Sequence, residues 1–132
     1  MKSEERSRKS NKERNMKFKF ESLLIWQRAM ELGEDLNTVS KNFPKNEMYN
    51  VSTQMQRAVD SIALNISEGS IGQSKPEFKK FMGYAIRSLA EVVTCLHKAN
   101  RRTYIKKEEF NMYYEDSFNL MNMMVAFKDK IK

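Results

Sequence analysis

The stretch from Gln54 to Gly69 carries two stripes at helical spacing, one apolar and one polar. Met55, Val59, Ile62 and Ile66 recur at steps of 4, 3 and 4, which puts their side chains on one side of an α-helix. Gln54, Arg57, Ser61, Asn65 and Glu68 recur at 3, 4, 4 and 3, forming a second line on the adjoining face. A helix whose polar side met only water would more usually mix Lys and Glu there. Amides, a hydroxyl and single charges suit a half-buried, hydrogen-bonded seam instead. Gly69 is expected to end the helix as a left-handed C-cap, the conformation glycine adopts without steric cost.

The same period recurs along the rest of the chain. Ile25, Ala29, Leu32, Leu36, Val39 and Phe43 alternate steps of 4 and 3 and predict a first helix from about Ser22 to Asn42. Trp26, Met30 and Gly33 widen its apolar face, while Glu21, Glu31, Glu34 and Asp35 outnumber Arg28 and Lys41 on the outside. Phe43-Pro44 breaks the chain, because proline cannot continue the hydrogen-bond ladder. The second helix then runs from about Lys45 or Glu47 to Glu68. Ser74-Lys75-Pro76-Glu77 reads as a capping box, with Ser74 as N-cap and Glu77 reaching back.

In a third helix, 75 to 101, Phe78, Met82, Ala85, Leu89, Val92, Leu96 and Ala99 form the buried face. Lys80, Tyr84, Arg87, Glu91, Thr94, Lys98 and Arg101 repeat the same steps on the opposite side. A fourth helix, about 106 to 130, carries Phe110, Tyr113, Ser117, Leu120, Met124, Phe127 and Ile131 at 3 and 4. Four such helices with short connections predict an all-α fold, an up-down-up-down antiparallel four-helix bundle.

Composition agrees and locates the charge. The chain's 132 residues fit one domain, and 4 Gly, 2 Pro and 31% charged residues suit helices with few turns. Of the net +7, residues 1–19 hold +5, with 8 basic and 3 acidic residues. That segment has almost no apolar content and is expected to be a disordered basic tail ahead of a bundle domain spanning 20–132. It is either an arm that meets phosphates or a solvated leader, including an extension upstream of a start at Met16. Within the bundle, residues 75–102 carry 7 basic and 2 acidic residues, a net +5, and Arg101, Arg102, Lys106 and Lys107 thicken this ridge at one end.

Chemistry has few parts to work with. The one histidine, His97, has no metal-ligand spacing to a partner, and the Glu-x-x-His motifs of di-iron bundles are missing. The single cysteine, Cys95, lies beside the buried stripe, which favours an inert thiol, and one cysteine fits a reducing compartment. Gly69-Ser70-Ile71-Gly72-Gln73 lacks the ending a P-loop requires. The Met residues at 121, 123 and 124 read as adaptable packing. Arg57, Ser61, Asn65 and Glu68, with Ser88 and Glu91 as partners on the next helix, form the best polar cluster. It can set the register of a bundle or a subunit interface, or form a site, but no nucleophile–base pair is visible. No catalytic residue, cofactor, metal or small-molecule substrate is therefore expected. No apolar run approaches the ~20 residues that span a bilayer, and no signal-peptide core opens the chain, so a cytoplasmic location is expected.

Arg57-Ala58, Ser61-Ile62 and Asn65-Ile66-Ser67-Glu68-Gly69 resemble the signature of the four-helix bundle proteins typified by the 23S rRNA-intervening sequence proteins. Leu24-Ile25-Trp26-Gln27, Phe43-Pro44-Lys45-Asn46-Glu47-Met48-Tyr49, Gly72-Gln73-Ser74 and Ser88-Leu89-Ala90-Glu91 match further pieces in order. The likeness spans roughly 18 to 125 and departs at Gln56, where it implies Arg, and in the basic segment before Met16. A relative of the group is the accessory variability determinant of diversity-generating retroelements. The resemblance implies a homopentameric ring with no catalytic activity, with RNA or DNA as partner and a reverse transcriptase as a further one.

Two function classes follow. In the first, Lys80, Arg87, Lys98, Arg101, Arg102, Lys106 and Lys107 neutralise phosphates of RNA or DNA, largely without sequence preference. In the second, the chain is a self-assembling scaffold or protein-interaction module. The basic ridge of one copy then meets the acidic first helix of the next.

Overall fold

The computed structural model describes residues 16–47 and 51–132. Four α-helices lie among them, α1 (Leu24–Ser40), α2 (Val51–Ser70), α3 (Lys75–Arg101) and α4 (Lys107–Lys130), with 3-10 turns at Lys19–Ser22 and Lys45–Glu47. No strand occurs among the described residues. Each helix packs on its neighbours in sequence and α1 closes against α4, while the backbones of the diagonal pairs α1/α3 and α2/α4 make no close approach. This is the antiparallel up-down-up-down bundle that four apolar stripes and short connections dictate.

The stripes meet in the middle. Leu36, Met55, Ile62, Ile66, Met82, Leu89, Leu96, Leu120 and Met124 are buried in one contiguous core. Phe78, Phe127 and Ile131, at the ends of their stripes, are only partly covered. Cys95 is buried in the same core, and that burial raises its thiol pKa further from the reactive range. The expectation for residues 1–15, and that for residues 48–50 near the start of the second helix, fall outside the described residues. Residues 16–19 of the expected tail are exposed, and Phe18 stacks on Phe20 at 5.6 Å.

Gly69 is not a C-cap. Helix α2 continues through it to Ser70, and no described glycine has a positive φ. A Cβ on Gly69 would stand 2.7 Å from Phe81 Cβ and 3.0 Å from Phe78 Cδ1. Glycine is there because the start of α3 crosses too close for any side chain. Helix α1 is shorter than expected at both ends, Ser22 closing the 3-10 turn that precedes it and the last turn loosening after Ser40.

The helix boundaries use polar groups. Ser74 Oγ accepts from the Glu77 amide at 3.2 Å, with Pro76 in the first turn. The Glu77 carboxylate does not complete the expected box but lies over Gly72, where a Cβ would meet Oε1 at 2.7 Å. At the far end of α3 the Tyr104 amide reaches back to the Ala99 carbonyl at 2.9 Å, and Thr103 takes φ 58° to allow it. Lys106 then donates its amide to Glu109 Oε1 at 3.1 Å to open α4. Between α1 and α2, Gln56 Nε2 donates to Ser40 Oγ at 2.6 Å, a contact made by the residue that stands where the resemblance implies Arg.

Candidate nucleic-acid interface

Helix α3 buries one side against the core and leaves its other side in water. Lys80, Arg87, Lys98 and Arg101 are all exposed on that outer side, followed by exposed Arg102, Lys106 and Lys107 at the turn into α4. At 1.5 Å per residue the 18 steps from Lys80 to Lys98 span about 27 Å. The ridge is not continuous. Between Arg87 and Lys98, about 16 Å apart along the helix, the outer face carries Glu91 and Thr94. The charge therefore gathers into two clusters, one at each end of α3.

The first cluster is larger than its sequence stripe. Lys79 joins Lys80 and Arg87 around an open cleft of about 370 Å³, and Lys128 reaches it from α4. Gly83 and Tyr84 complete the cleft with Ile86. Lys79 could have been found as the neighbour of Lys80 on the flank toward α4. Lys128 could not, because its place depends on how far α4 slides along α3.

The second cluster gathers at the α3–α4 turn. Lys107 Nζ lies 5.4 Å from the Phe110 ring centroid, within cation–π range. The His97 ring meets Phe110 at 5.2 Å and Tyr114 at 5.7 Å, both edge-on. His97 is thus an exposed member of an aromatic seam between α3 and α4. Among the described residues no group of three or more His, Cys, Asp or Glu side chains is placed to hold a metal ion.

Acidic residues take the other side of the bundle. Asp35 of α1 faces Asp116 of α4, and its carboxyl is pushed above the usual range by burial, then by Asp116 and Glu31. On the opposite flank of α1, Asp60 of α2 is raised by burial and then by Glu34. Helix α1, which carries Glu31, Glu34 and Asp35, stands diagonal to α3 in the bundle.

The polar line of α2 separates into joined and unjoined parts. Ser61 and Ser88, both half-buried, meet at 2.6 Å between α2 and α3. Half-buried Asn65 donates to the Ser61 carbonyl of its own helix at 2.8 Å. Gln54, Arg57, Glu68 and Glu91 are exposed, so the half-buried seam contracts to Ser61, Asn65 and Ser88. The α2 and α3 backbones approach closely enough for two short hydroxyls to bridge them, and the longer side chains flanking that crossing turn out to solvent.

Two apolar grooves remain open. Trp26, Met30, Gly33, Ala63 and Leu64 line one between α1 and α2, where Leu64 is 60% exposed. Ala90, Val93, Tyr114, Phe118 and Met121 line the other between α3 and α4, where Phe118 is 58% exposed. They lie on opposite sides of the molecule.

No helix among the described residues is long and apolar enough to cross a membrane. Residues 21–126 match the family described as 23S rRNA-intervening sequence protein. A crystal structure from Bacteroides thetaiotaomicron VPI-5482, of a protein with unknown function from the S23 ribosomal protein family, shares the fold. It is 20% identical, with a TM-score of 0.75 over 81% of this chain and 96% of that one. No curated protein matches the chain.

Proposed function

We propose that this chain, which belongs to the 23S rRNA-intervening sequence protein family, is a non-enzymatic cytoplasmic protein that binds RNA or DNA through the outer face of α3. The observation that supports this reading is the segregation of charge. Lys80, Arg87, Lys98 and Arg101 stand in water along α3, with Arg102, Lys106 and Lys107 exposed at the turn beyond it, while Glu31, Asp35 and Asp116 outnumber Arg28 about a groove between α1 and α4. Such a face attracts a polyanion and expels its condensed counterions on contact, which makes affinity fall steeply with salt. Nothing in it reads base edges, so the binding is largely independent of sequence.

The test is charge reversal. Arg87, Lys98 and Arg101 changed together to Glu abolish binding of an unstructured RNA or DNA, and affinity unchanged at low salt overturns the assignment. A chain lacking residues 1–15 separates tail from body: the body retains a salt-dependent affinity of its own.

A second, compatible reading is self-assembly, supported by the two apolar grooves on opposite sides of the bundle. Docking one onto the other joins unlike surfaces and generates a ring if the rotation closes, here the homopentamer that the family resemblance implies. A ring repeats the basic face and raises avidity without new contacts. Mass by light scattering tests it, and a monomer at micromolar concentration removes it.

A further inference from the structure

We propose that the cleft between α3 and the end of α4 holds single-stranded nucleic acid, with a phosphate among Lys79, Lys80, Arg87 and Lys128 and a base on the ring of Tyr84. The proposal rests on the nucleic-acid reading above and specifies its ligand. Four cations from two helices surround this cleft and no carboxylate lines it. A phosphate placed among them meets several donors of one sign at once, which is the arrangement that draws a polyanion out of its counterion atmosphere. Gly83 adds no side chain to the cleft, and a Cβ there would make ordinary contact with Lys128 Nζ at 3.6 Å, which places that ammonium close to the α3 backbone.

Tyr84 is what separates a strand from a duplex. Tyr84 is 37% exposed, and its ring packs edge-to-face against Phe81 at 5.6 Å and 82° beside the cleft. Lys80 Nζ lies 6.0 Å from its centroid, so charge and ring are presented together. An aromatic face beside phosphate-binding cations is the device by which proteins hold unpaired nucleotides of any sequence. Bases in a duplex are already stacked on one another and cannot use it. The cleft volume of about 370 Å³ is at the small end of ligand-sized sites, suited to one nucleotide at a time.

The experiment measures anisotropy of a labelled oligouridine and of an RNA duplex of the same length, with the full chain. Tyr84→Ala weakens oligouridine binding about tenfold and leaves duplex binding and the salt slope unchanged, whereas Tyr84→Phe keeps the parent affinity. Lys128→Ala weakens both ligands and flattens the salt slope. If Tyr84→Ala binds oligouridine like the parent while the charge reversal abolishes binding, the cleft assignment is overturned and the nucleic-acid reading stands. If the parent binds neither RNA, nor a single-stranded or duplex DNA of the same length, both are overturned.

Discussion

Ser61 and Ser88 bridge α2 and α3 through their hydroxyls at 2.6 Å, and the direction of that bond follows from proton counting. Ser61 has one hydroxyl proton, which it gives to the Ala58 carbonyl at 2.8 Å. Ser88 is therefore the donor between them. Ser61→Ala leaves the Ser88 hydroxyl without its acceptor in a half-buried site and costs about 1–2 kcal/mol. Replacing both serines by alanine costs less than the two single changes added together. Urea denaturation of the four proteins of this cycle checks it, and strict additivity contradicts the bridge.

Two glycines make opposite predictions. At Gly69 an added methyl meets Phe81 Cβ at 2.7 Å, so Gly69→Ala forces α2 and α3 apart and costs about 1–3 kcal/mol. At Gly33 the nearest atom is Asp60 Oδ1 at 3.9 Å, so Gly33→Ala fits and gains about 0.5–1 kcal/mol of helix propensity. Thermal unfolding of both variants reads the sign directly. Had Gly69 been a terminal cap, its substitution would leave the α2–α3 packing intact.

Thr103 sits at φ 58° where α3 ends, a region a β-branched side chain enters at a cost of about 1–2 kcal/mol. Thr103→Gly removes that strain and keeps the Tyr104 to Ala99 backbone bond, giving up the Thr103 hydroxyl contact to the Arg102 carbonyl. The net expectation is a gain of about 1 kcal/mol, or roughly 5 °C in melting temperature. A lower melting temperature would mean the hydroxyl contact outweighs the strain.

Asp35 makes stability depend on pH. Its carboxyl is raised above 3.8 in the folded chain, so its contribution is most favourable below 3.8 and is lost as pH rises through the folded value. At pH 7 the charged form is held against partial burial and against Asp116 and Glu31. Asp35→Asn therefore raises the melting temperature at neutral pH, by about 2 °C for a largely exposed group. The difference between variant and parent closes as pH falls below 3.8. A gain that persists at pH 3 would assign the effect to packing rather than charge.

Much of this bundle is legible in one dimension, because a 3.6-residue repeat decides which side of a rod is dry. Ile62, Leu89 and Met124 declare themselves by spacing alone, and so do the outward positions of Lys80, Arg87 and Lys98. Ser74-Lys75-Pro76-Glu77 likewise places the start of α3 without reference to any neighbour, since a cap is satisfied within its own turn. Gly69 shows where such reading stops: a helix end and a close crossing both demand glycine, and only the position of Phe81 distinguishes them. The meeting of Ser61 with Ser88, the reach of Lys128 to the α3 cleft and the pairing of Asp35 with Asp116 are of the same kind. Periodicity determines the face each helix buries. The rotation and slide of one helix against the next are set by how side chains of different helices interlock, and no single helix contains that information.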